Sequence, residues 1–350
     1  MSPWDLPDFD DHEVVHFVTD RASGLRAVIA VHSTHLGPGA GGVRFWHYAE
    51  SGEAVRDALR LSRGMSFKNA MAGLPLGGGK AVILAGPDRA KSPELLAAYG
   101  RAVDALCGKY VTAEDVGVTV PDLVAVSGHT RYVSGLPVAD GAVGGDPGPH
   151  TSYGVFLGVK AAVRRKLGKD SLGGLRIAIQ GAGSVASGLA RRAAAEGARI
   201  LVADIDAGRA QRVADETGGE VIAADAILSA DADVVSPNAL GAILTPAVID
   251  ALRASIVAGG ANNQLPTPAE GDRLHGRGIL YAPAYVINAG GIINVASEYL
   301  QDADQAGVKA RIERIPERLE QIWAESDATG RNPAAVADAI AVKLIGRSQR

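Results

Sequence analysis

The run Ile177-Ala178-Ile179-Gln180-Gly181-Ala182-Gly183-Ser184-Val185-Ala186 constrains the fold more than any other stretch of this 350-residue chain. It reads as a buried strand entering a G-x-G-x-x-A turn that opens a helix. Glycine allows a tight turn there and lets a pyrophosphate approach the backbone amides, while the helix N-terminus adds partial positive charge. Asp204 closes the next strand, 21 residues after Gly183, where a carboxylate accepts from a ribose 2′-hydroxyl and repels a 2′-phosphate. Strand, turn, helix, strand and acid in this order predict a Rossmann-type unit that holds a dinucleotide through Gly181, Gly183, Ser184, Val185, Asp204 and Ile205. Asp204 predicts NAD over NADP, a preference that Arg209 and Arg212 soften.

One such unit accounts for only part of the chain, since domains average about 150 residues. Ahead of it, 14–18, 25–31, 81–84 and 110–112 read as strands, and 53–71 and 95–106 as helices. The glycines at 73–79 break the pattern before the third strand. Residues 135–149 are dense in Gly and Pro, with Gly141, Gly144, Gly145, Pro147, Gly148 and Pro149, and read as a hinge. Downstream, apolar runs at 176–180, 199–203, 234–235, 255–258 and 278–281 alternate with helical stretches, the pattern of βαβ units on a parallel sheet. From about 306 to 345 the chain reads as helix interrupted at Pro316 and Pro333. The expected division is 1–140, 141–325 and a C-terminal helical segment 326–350 placed to return to the first domain.

Composition narrows the partners. Thirty-five Lys and Arg against 39 Asp and Glu give a net charge of −4 without a block of like charge, which removes the electrostatic signature of nucleic-acid binding. No run reaches the ~18 apolar residues of a membrane span. The single cysteine, Cys107, cannot close an internal disulfide, and the first residues lack the pattern of a signal peptide, so a cytoplasmic location is expected.

A second constellation is Lys68, Lys80 and Asp115. Gly77-Gly78-Gly79-Lys80 is not a Walker A loop, because Leu74 stands where the first glycine belongs and Ala81 where the magnesium-binding hydroxyl belongs. Lys80 instead lies between glycines and the apolar Ala81-Val82-Ile83-Leu84, a setting that buries an ammonium. A buried lysine beside another cation releases its proton near neutral pH, and a neighbouring carboxylate can relay it. On residue chemistry alone, a reactive site and solvated surface charge both remain open for this trio. His12-Glu13-Val14-Val15-His16 matches H-E-x-x-H, but zinc binding needs both histidines on one helical face. The stretch is β-type, which sets i and i+4 more than about 10 Å apart, so no metal is expected.

Leu36-Gly37-Pro38, Gly41-Gly42-Val43-Arg44, Gly64-Met65-Ser66-Phe67-Lys68-Asn69, Gly77-Gly78-Gly79-Lys80 and Thr112-Ala113-Glu114-Asp115-Val116-Gly117 precede the dinucleotide turn. Asn238-Ala239-Leu240-Gly241, Gly259-Gly260-Ala261-Asn262-Asn263-Gln264-Leu265 and Tyr281 to Gly291 follow it. With these blocks in order, the chain resembles the glutamate/leucine/phenylalanine/valine dehydrogenase family over nearly its whole length, most closely the leucine branch.

The resemblance implies an α/β substrate-binding domain, a Rossmann NAD-binding domain and a cleft between them. It implies NAD-dependent, reversible oxidative deamination of an apolar L-amino acid to a 2-oxo acid and ammonium, with a homo-oligomeric assembly. Lys68 would pair with the substrate carboxylate, Lys80 would activate the attacking water, and Asp115 would relay protons. Gly41, Met65 and Asn262 would line the substrate, with loops near Thr151, Ala239 and Asn262 at the nicotinamide end. The side-chain pocket would comprise Ala40, Ala113, Ile292 and Val295, all apolar, which disfavours a glutamate-type side chain. Ala40 stands where the leucine branch carries leucine and enlarges the pocket; Ile292 refills part of it. Asn238 and His150 depart from the family pattern near the cofactor and leave an NAD-binding protein without turnover as the alternative.

Overall fold

The computed structural model describes residues 3–88, 90–138 and 142–347. The chain divides into two compact units, Met1–Gly145 with Val295–Gln305 and Ala341–Arg350, and Asp146–Asn294 with Ala306–Ile340. Helices and sheets are present in both, as the α/β reading requires.

The first unit is built on a five-stranded mixed sheet of order β1-β2-β4-β3-β5. Its strands are β1 (Val14–Asp20), β2 (Leu25–Ser33), β3 (Gly39–Trp46), β4 (Gly77–Leu84) and β5 (Tyr110–Glu114). Helix α1 (Ser51–Met71) covers one face, where Ala54, Ala58 and Leu59 meet Val28, Ala30 and Val82. Helices α2 (Pro93–Asp104) and α3 (Val120–Ser127) supply Leu96, Tyr99, Val103 and Leu123 to the core that holds Ile29, Val43, Phe45, Ala81 and Ile83. Alternate residues of β2 and β4 thus enter two different cores.

Two strands differ from the sequence reading. The glycines at 77–79 do not break the chain but open β4, and the Gly-rich stretch from Gly39 forms β3, for which no strand was expected. Glycine is normally poor in strands, yet here side chains would not fit. A Cβ on Gly78 would lie 2.1 Å from the Ser66 amide nitrogen of α1, and one on Gly41 would lie 2.0 Å from the Gly79 carbonyl oxygen.

The second unit has a six-stranded, wholly parallel sheet of order β11-β10-β9-β6-β7-β8. Its elements run α4 (Gly148–Leu167), β6 (Arg176–Gln180), α5 (Ser184–Ala195), β7 (Arg199–Ala203), α6 (Ala207–Thr217), β8 (Glu220–Val221), β9 (Val234–Pro237), α7 (Pro246–Ala251) and β10 (Ile256–Val257). Then come α8 (Ala269–Gly276), β11 (Leu280–Tyr281), α9 (Ala284–Ile287), α10 (Gly290–Leu300), α11 (Gln305–Ile312), α12 (Ile315–Thr329) and α13 (Pro333–Leu344). Strand order reverses between β6 and β9, the switch point at which doubly wound sheets bind ligands.

Pro316 and Pro333 start helices rather than interrupt one, because the missing N–H is harmless in a first turn. The segment 326–350 does not stand apart. Helix α12 is tied to the second unit where the Trp323 indole donates to the Tyr281 carbonyl at 2.9 Å. Arg347 is tied to the first unit, donating to the carbonyls of Asp10, Asp11 and His32. The hinge expected at 135–149 includes Gly141, which lies outside the described residues, and its last residues already form the first turn of α4.

The H-E-x-x-H residues are split. His12 precedes β1 and is buried, with Nε2 donating to the Leu59 carbonyl at 3.0 Å and Nδ1 accepting from the Asp10 amide, whereas His16 lies in the strand. Burial is the main cause that depresses His12, to about 4, and it depresses the fully buried His32 as well. His12 is therefore neutral in the folded protein above about 4 and is protonated more readily on unfolding. Its contribution to stability is complete above the ordinary histidine value and is lost as pH falls toward 4. The melting temperature of the first unit should drop between pH 6.5 and 4, the His12 share being on the order of 3 kcal/mol. Thermal unfolding of the chain and of His12→Gln across that range tests this; equal pH slopes in the two proteins would refute it.

Candidate active site

Lys80 sits in mid-β4 and is 7% exposed, and its Nζ lies 2.6 Å from Asp115 Oδ2. The two do not belong to neighbouring strands. β3 runs between β4 and β5, so the backbones are two strand spacings apart, about 10 Å. The register places Ala40 opposite Gly78 and Val43 opposite Ala81, which sets Gly42 beside Lys80, and Gly42 also pairs with Ala113 of β5. The lysine side chain crosses β3 at Gly42, which carries no side chain to block it. A Cβ on Gly42 would meet the Glu114 carbonyl oxygen at 2.3 Å and Asp115 Cβ at 2.8 Å.

Asp115 is held from a second side. Arg44, two residues beyond Gly42, donates from Nε to Asp115 Oδ2 at 3.3 Å and from Nη1 to Asp57 Oδ2 at 2.6 Å. The Asp57 carboxylate also accepts from the Tyr48 hydroxyl and from Arg60. Arg44, Asp57 and Tyr48 were given no role by the sequence reading. The signal available was the alternation of Gly42 and Arg44 on one face of a strand, but that strand was not recognised.

Lys68, in the last turn of α1, completes the cluster. It is half-buried, and no acidic group among the described residues pairs with it. Burial first, and the Lys80 charge second, push its pKa down to about 8. Burial likewise draws Lys80 below its ordinary value, with Asp115 opposing and Arg44 reinforcing the shift. Burial would raise Asp115, but Lys80 and Arg44 outweigh it and hold the carboxyl below the usual range. Because Arg44 keeps its charge at any working pH, Asp115 stays anionic even when Lys80 gives up its proton. Next to Lys68, Asn69 is fully buried and donates from Nδ2 to the Gly77 carbonyl at 2.6 Å.

Of the expected substrate residues, Ala40, Gly41, Met65, Ala113 and Val295 belong to the first unit with the three charged groups; Asn262 and Ile292 belong to the second. Ile292 and Val295 lie three residues apart on α10 and so share a helix face. The dinucleotide residues gather at the carboxyl end of the second sheet. Gly181 has φ +94°, a conformation open to glycine, and a Cβ there would meet the Asn238 carbonyl group at 3.2 Å. Gly183 caps α5 with nothing within 4 Å of a Cβ position, which leaves the approach to the helix N-terminus clear. Asp204 accepts from the Ala182 amide at 2.7 Å and the Asp206 amide at 2.8 Å, and Ile205 beside it is 99% exposed. A cavity of about 460 Å³ adjoins the turn, lined by Gly183, Ser184, Ser187, Arg191, Arg209 and Arg212. An open glycine turn, an uncapped helix start and a fixed carboxylate at the next strand end fit a dinucleotide without a 2′-phosphate.

One expectation is corrected in position. Thr151 is not on a loop but in the first turn of α4, its hydroxyl donating to the Pro147 carbonyl. Asn238, the departure from the family pattern, accepts at Oδ1 from the Gly260 amide at 2.8 Å and donates from Nδ2 to Ser236 at 2.9 Å, which staples 259–264 to the end of β9. Ala239 follows it, exposed. His150, also in the first turn of α4, is held by burial below its ordinary value. Among the described residues no group of three His, Cys, Asp or Glu could hold a metal ion, and no helix is long and apolar enough to cross a membrane.

Residues 12–132 match the model of the Glu/Leu/Phe/Val dehydrogenase dimerisation domain, and residues 202–347 match that of glutamate/leucine/phenylalanine/valine dehydrogenase. The chain is similar to leucine dehydrogenase of Bacillus subtilis, 46% identical over 97% of this chain and 93% of that one. It is similar to valine dehydrogenase of Streptomyces coelicolor, 45% identical with the same coverage. Among solved structures, L-tryptophan dehydrogenase from Nostoc punctiforme superposes with a TM-score of 0.85 at 40% identity, covering 96% of each chain. The chain belongs to the Glu/Leu/Phe/Val dehydrogenase family. It is an amino acid dehydrogenase whose cofactor is NAD.

Gly42→Ala is expected to part Lys80 from Asp115 and lower turnover on the order of 10²-fold, the penalty of an ångström-scale misplacement, while NADH binding is kept. Initial rates and NADH fluorescence titration measure the two; full activity in Gly42→Ala would show that the bridge across β3 is dispensable.

Proposed function

We propose that the first unit binds and deaminates an apolar L-amino acid of the leucine, valine or phenylalanine type, and that the second holds NAD. The single observation carrying this reading is Lys68, an ammonium with no acidic partner among the described residues and a pKa of about 8, crowded by a second lysine. Such a group is satisfied by an anionic ligand, and an α-carboxylate has the charge and size.

In this reading the Lys68 ammonium pairs with the substrate carboxylate, with Gly41, Met65 and Asn262 as further substrate contacts. Gly181, Gly183, Ser184 and Val185 take the pyrophosphate, and Asp204 and Ile205 take the adenosine end. Thr151, Ala239 and Asn262 lie toward the nicotinamide. Held there, NAD would supply the acceptor for the hydride lost from the substrate Cα. Lys80, drawn below its ordinary value by burial, serves as the base: its deprotonated form takes a proton at Nζ from the water that adds to the imine carbon. The proton passes over the 2.6 Å contact to Asp115 Oδ2 and on to the amino group; the C–N bond then breaks to release ammonia as the carbinol hydroxyl gives its proton to Lys80 Nζ and becomes the keto oxygen. Anchoring by Arg44 returns Asp115 to its anionic form after each transfer.

Ala40, Ala113, Ile292 and Val295 offer no cation to a charged side chain, which supports aliphatic and aromatic substrates over glutamate. The relatives named for leucine, valine and tryptophan span that range. We also assign the chain to the cytoplasm and to a homo-oligomer. The exposed thiol of Cys107 suits a reducing compartment. The match to a dimerisation domain and the edge strand β1, which exposes Phe17, support self-association.

NADH formation with L-leucine, L-valine, L-phenylalanine, L-tryptophan and L-glutamate at alkaline pH tests the reading. Turnover is expected with the apolar amino acids and not with glutamate. Lys80→Ala should lose 10²- to 10⁴-fold of the rate, roughly the worth of general base catalysis. Lys68→Ala should raise KM for the amino acid about 10²-fold, as removing one partner of an enclosed charge pair does. NADH binding without turnover on any amino acid would replace the proposal with an NAD-binding protein that does not catalyse.

A further inference from the structure

The loop 259–264 of the second unit is fixed by three carboxamides. Asn238 holds the Gly260 amide, Gln264 Nε2 donates to the carbonyls of Gly259 and Ala261, and Asn288 Nδ2 donates to the Gly260 carbonyl at 3.1 Å. Asn288 makes one bond more. The same Nδ2 donates to Asn262 Oδ1 at 2.7 Å.

That bond settles which way the Asn262 amide faces. A backbone carbonyl only accepts, so the Gly260 contact requires the nitrogen of Asn288 on that side, and a flipped amide would set its oxygen against two acceptors. Asn288 is 3% exposed, and its own Oδ1 is buried without a partner, so the orientation is kept although an acceptor goes unsatisfied. With its oxygen engaged, Asn262 turns its nitrogen outward. The residue is exposed, and its Nδ2 has no partner among the described residues.

We propose that Asn288 is a positioning residue that locks Asn262 with its NH₂ outward, so that the site presents a donor, and never an acceptor, to a carboxyl-type oxygen of the ligand. This rests on the reading of Asn262 as a ligand contact. The oxygen belongs either to the α-carboxylate of the amino acid or to the nicotinamide carboxamide. Had Asn262 been free to rotate, half of its orientations would set a carbonyl oxygen against that group. The lock therefore acts on affinity and not on the proton transfers at Lys80 and Asp115.

Asn288→Asp has the same shape and reverses the polarity: its carboxylate accepts from Asn262, whose amide must then turn its oxygen to the ligand. A double-mutant cycle on the full-length chain with Asn262→Ala reads the coupling. Wild-type NADH formation on L-leucine comes first and tests the dehydrogenase reading by itself. Asn262→Ala is expected to raise one KM about tenfold, that of L-leucine if the oxygen is the carboxylate and that of NAD if it is the carboxamide, roughly the loss of one charge-assisted or buried hydrogen bond. Asn288→Asp should raise the same KM at least as much, with kcat within about threefold, yet by less than about twofold when Asn262 is already alanine. Should Asn288→Asp not fold, judged by loss of NADH binding, Asn288→Ala enters the same cycle with the same expected non-additivity. Equal factors in both backgrounds would make Asn288 merely structural and overturn the proposal. So would an Asn262→Ala protein with both KM values unchanged, which would remove Asn262 from ligand binding while leaving the dehydrogenase reading intact.

Discussion

The first unit depends on how closely backbone can approach backbone. Ser66 of α1 lies against Gly78, and Gly41 lies against the Gly79 carbonyl at distances that no Cβ would tolerate. This contact brings the last turn of α1, with Lys68, onto the strand that carries Lys80, and two ammonium groups come to share one enclosed space. Such crowding is unfavourable, and the structure meets half of it. Lys80 has Asp115, reached over Gly42 and backed by Arg44 and Asp57; Lys68 has no such partner among the described residues. In the proposed reading an entering anion relieves Lys68, while burial eases the proton off Lys80 beside a carboxylate held anionic by Arg44.

The second unit works mainly through backbone amides and carboxamides. A glycine turn needs only backbone geometry and an uncapped helix to favour a diphosphate, and Asp204 is preset by two amide donors. At the end of β9, carboxamides at 238, 264 and 288 pin the loop that carries Asn262. Both units thus spend fixed polar groups on orientation, and the flexible part is left to the ligand.

Features encoded within a few residues were legible in the sequence. The strand, turn, helix and acid from Ile177 to Asp204 are local, and the parallel sheet followed from alternation of the same kind. The lysines and Asp115 were visible as residues, but their role came from resemblance, because nothing local says that 80 and 115 meet across an intervening strand. β3 was missed for a physical reason: Gly39, Gly41 and Gly42 lower strand propensity and erase the alternation that marks a strand. With β3 unseen, Arg44 could not be placed, nor its bridge to residues 57 and 115. The same holds for the buried pair His12 and His32, joined through Asp10, Arg63 and the distant Arg347. Membership of 295–305 and 341–350 in the first unit is likewise set by long-range contacts without a local signal.

If Lys68 is the depressed ammonium that takes the substrate carboxylate, as proposed, proton uptake on binding measures it directly. Calorimetric titration of the NADH-bound protein with 4-methylpentanoate at pH 8, in buffers of different ionisation enthalpy, reads the protons exchanged. A free-state value of about 8 means that roughly half a proton per chain should be taken up as the anion restores the charged form, and that Lys68→Ala should abolish this uptake together with most of the affinity. Binding of the same strength with no proton uptake, unchanged in Lys68→Ala, would contradict it.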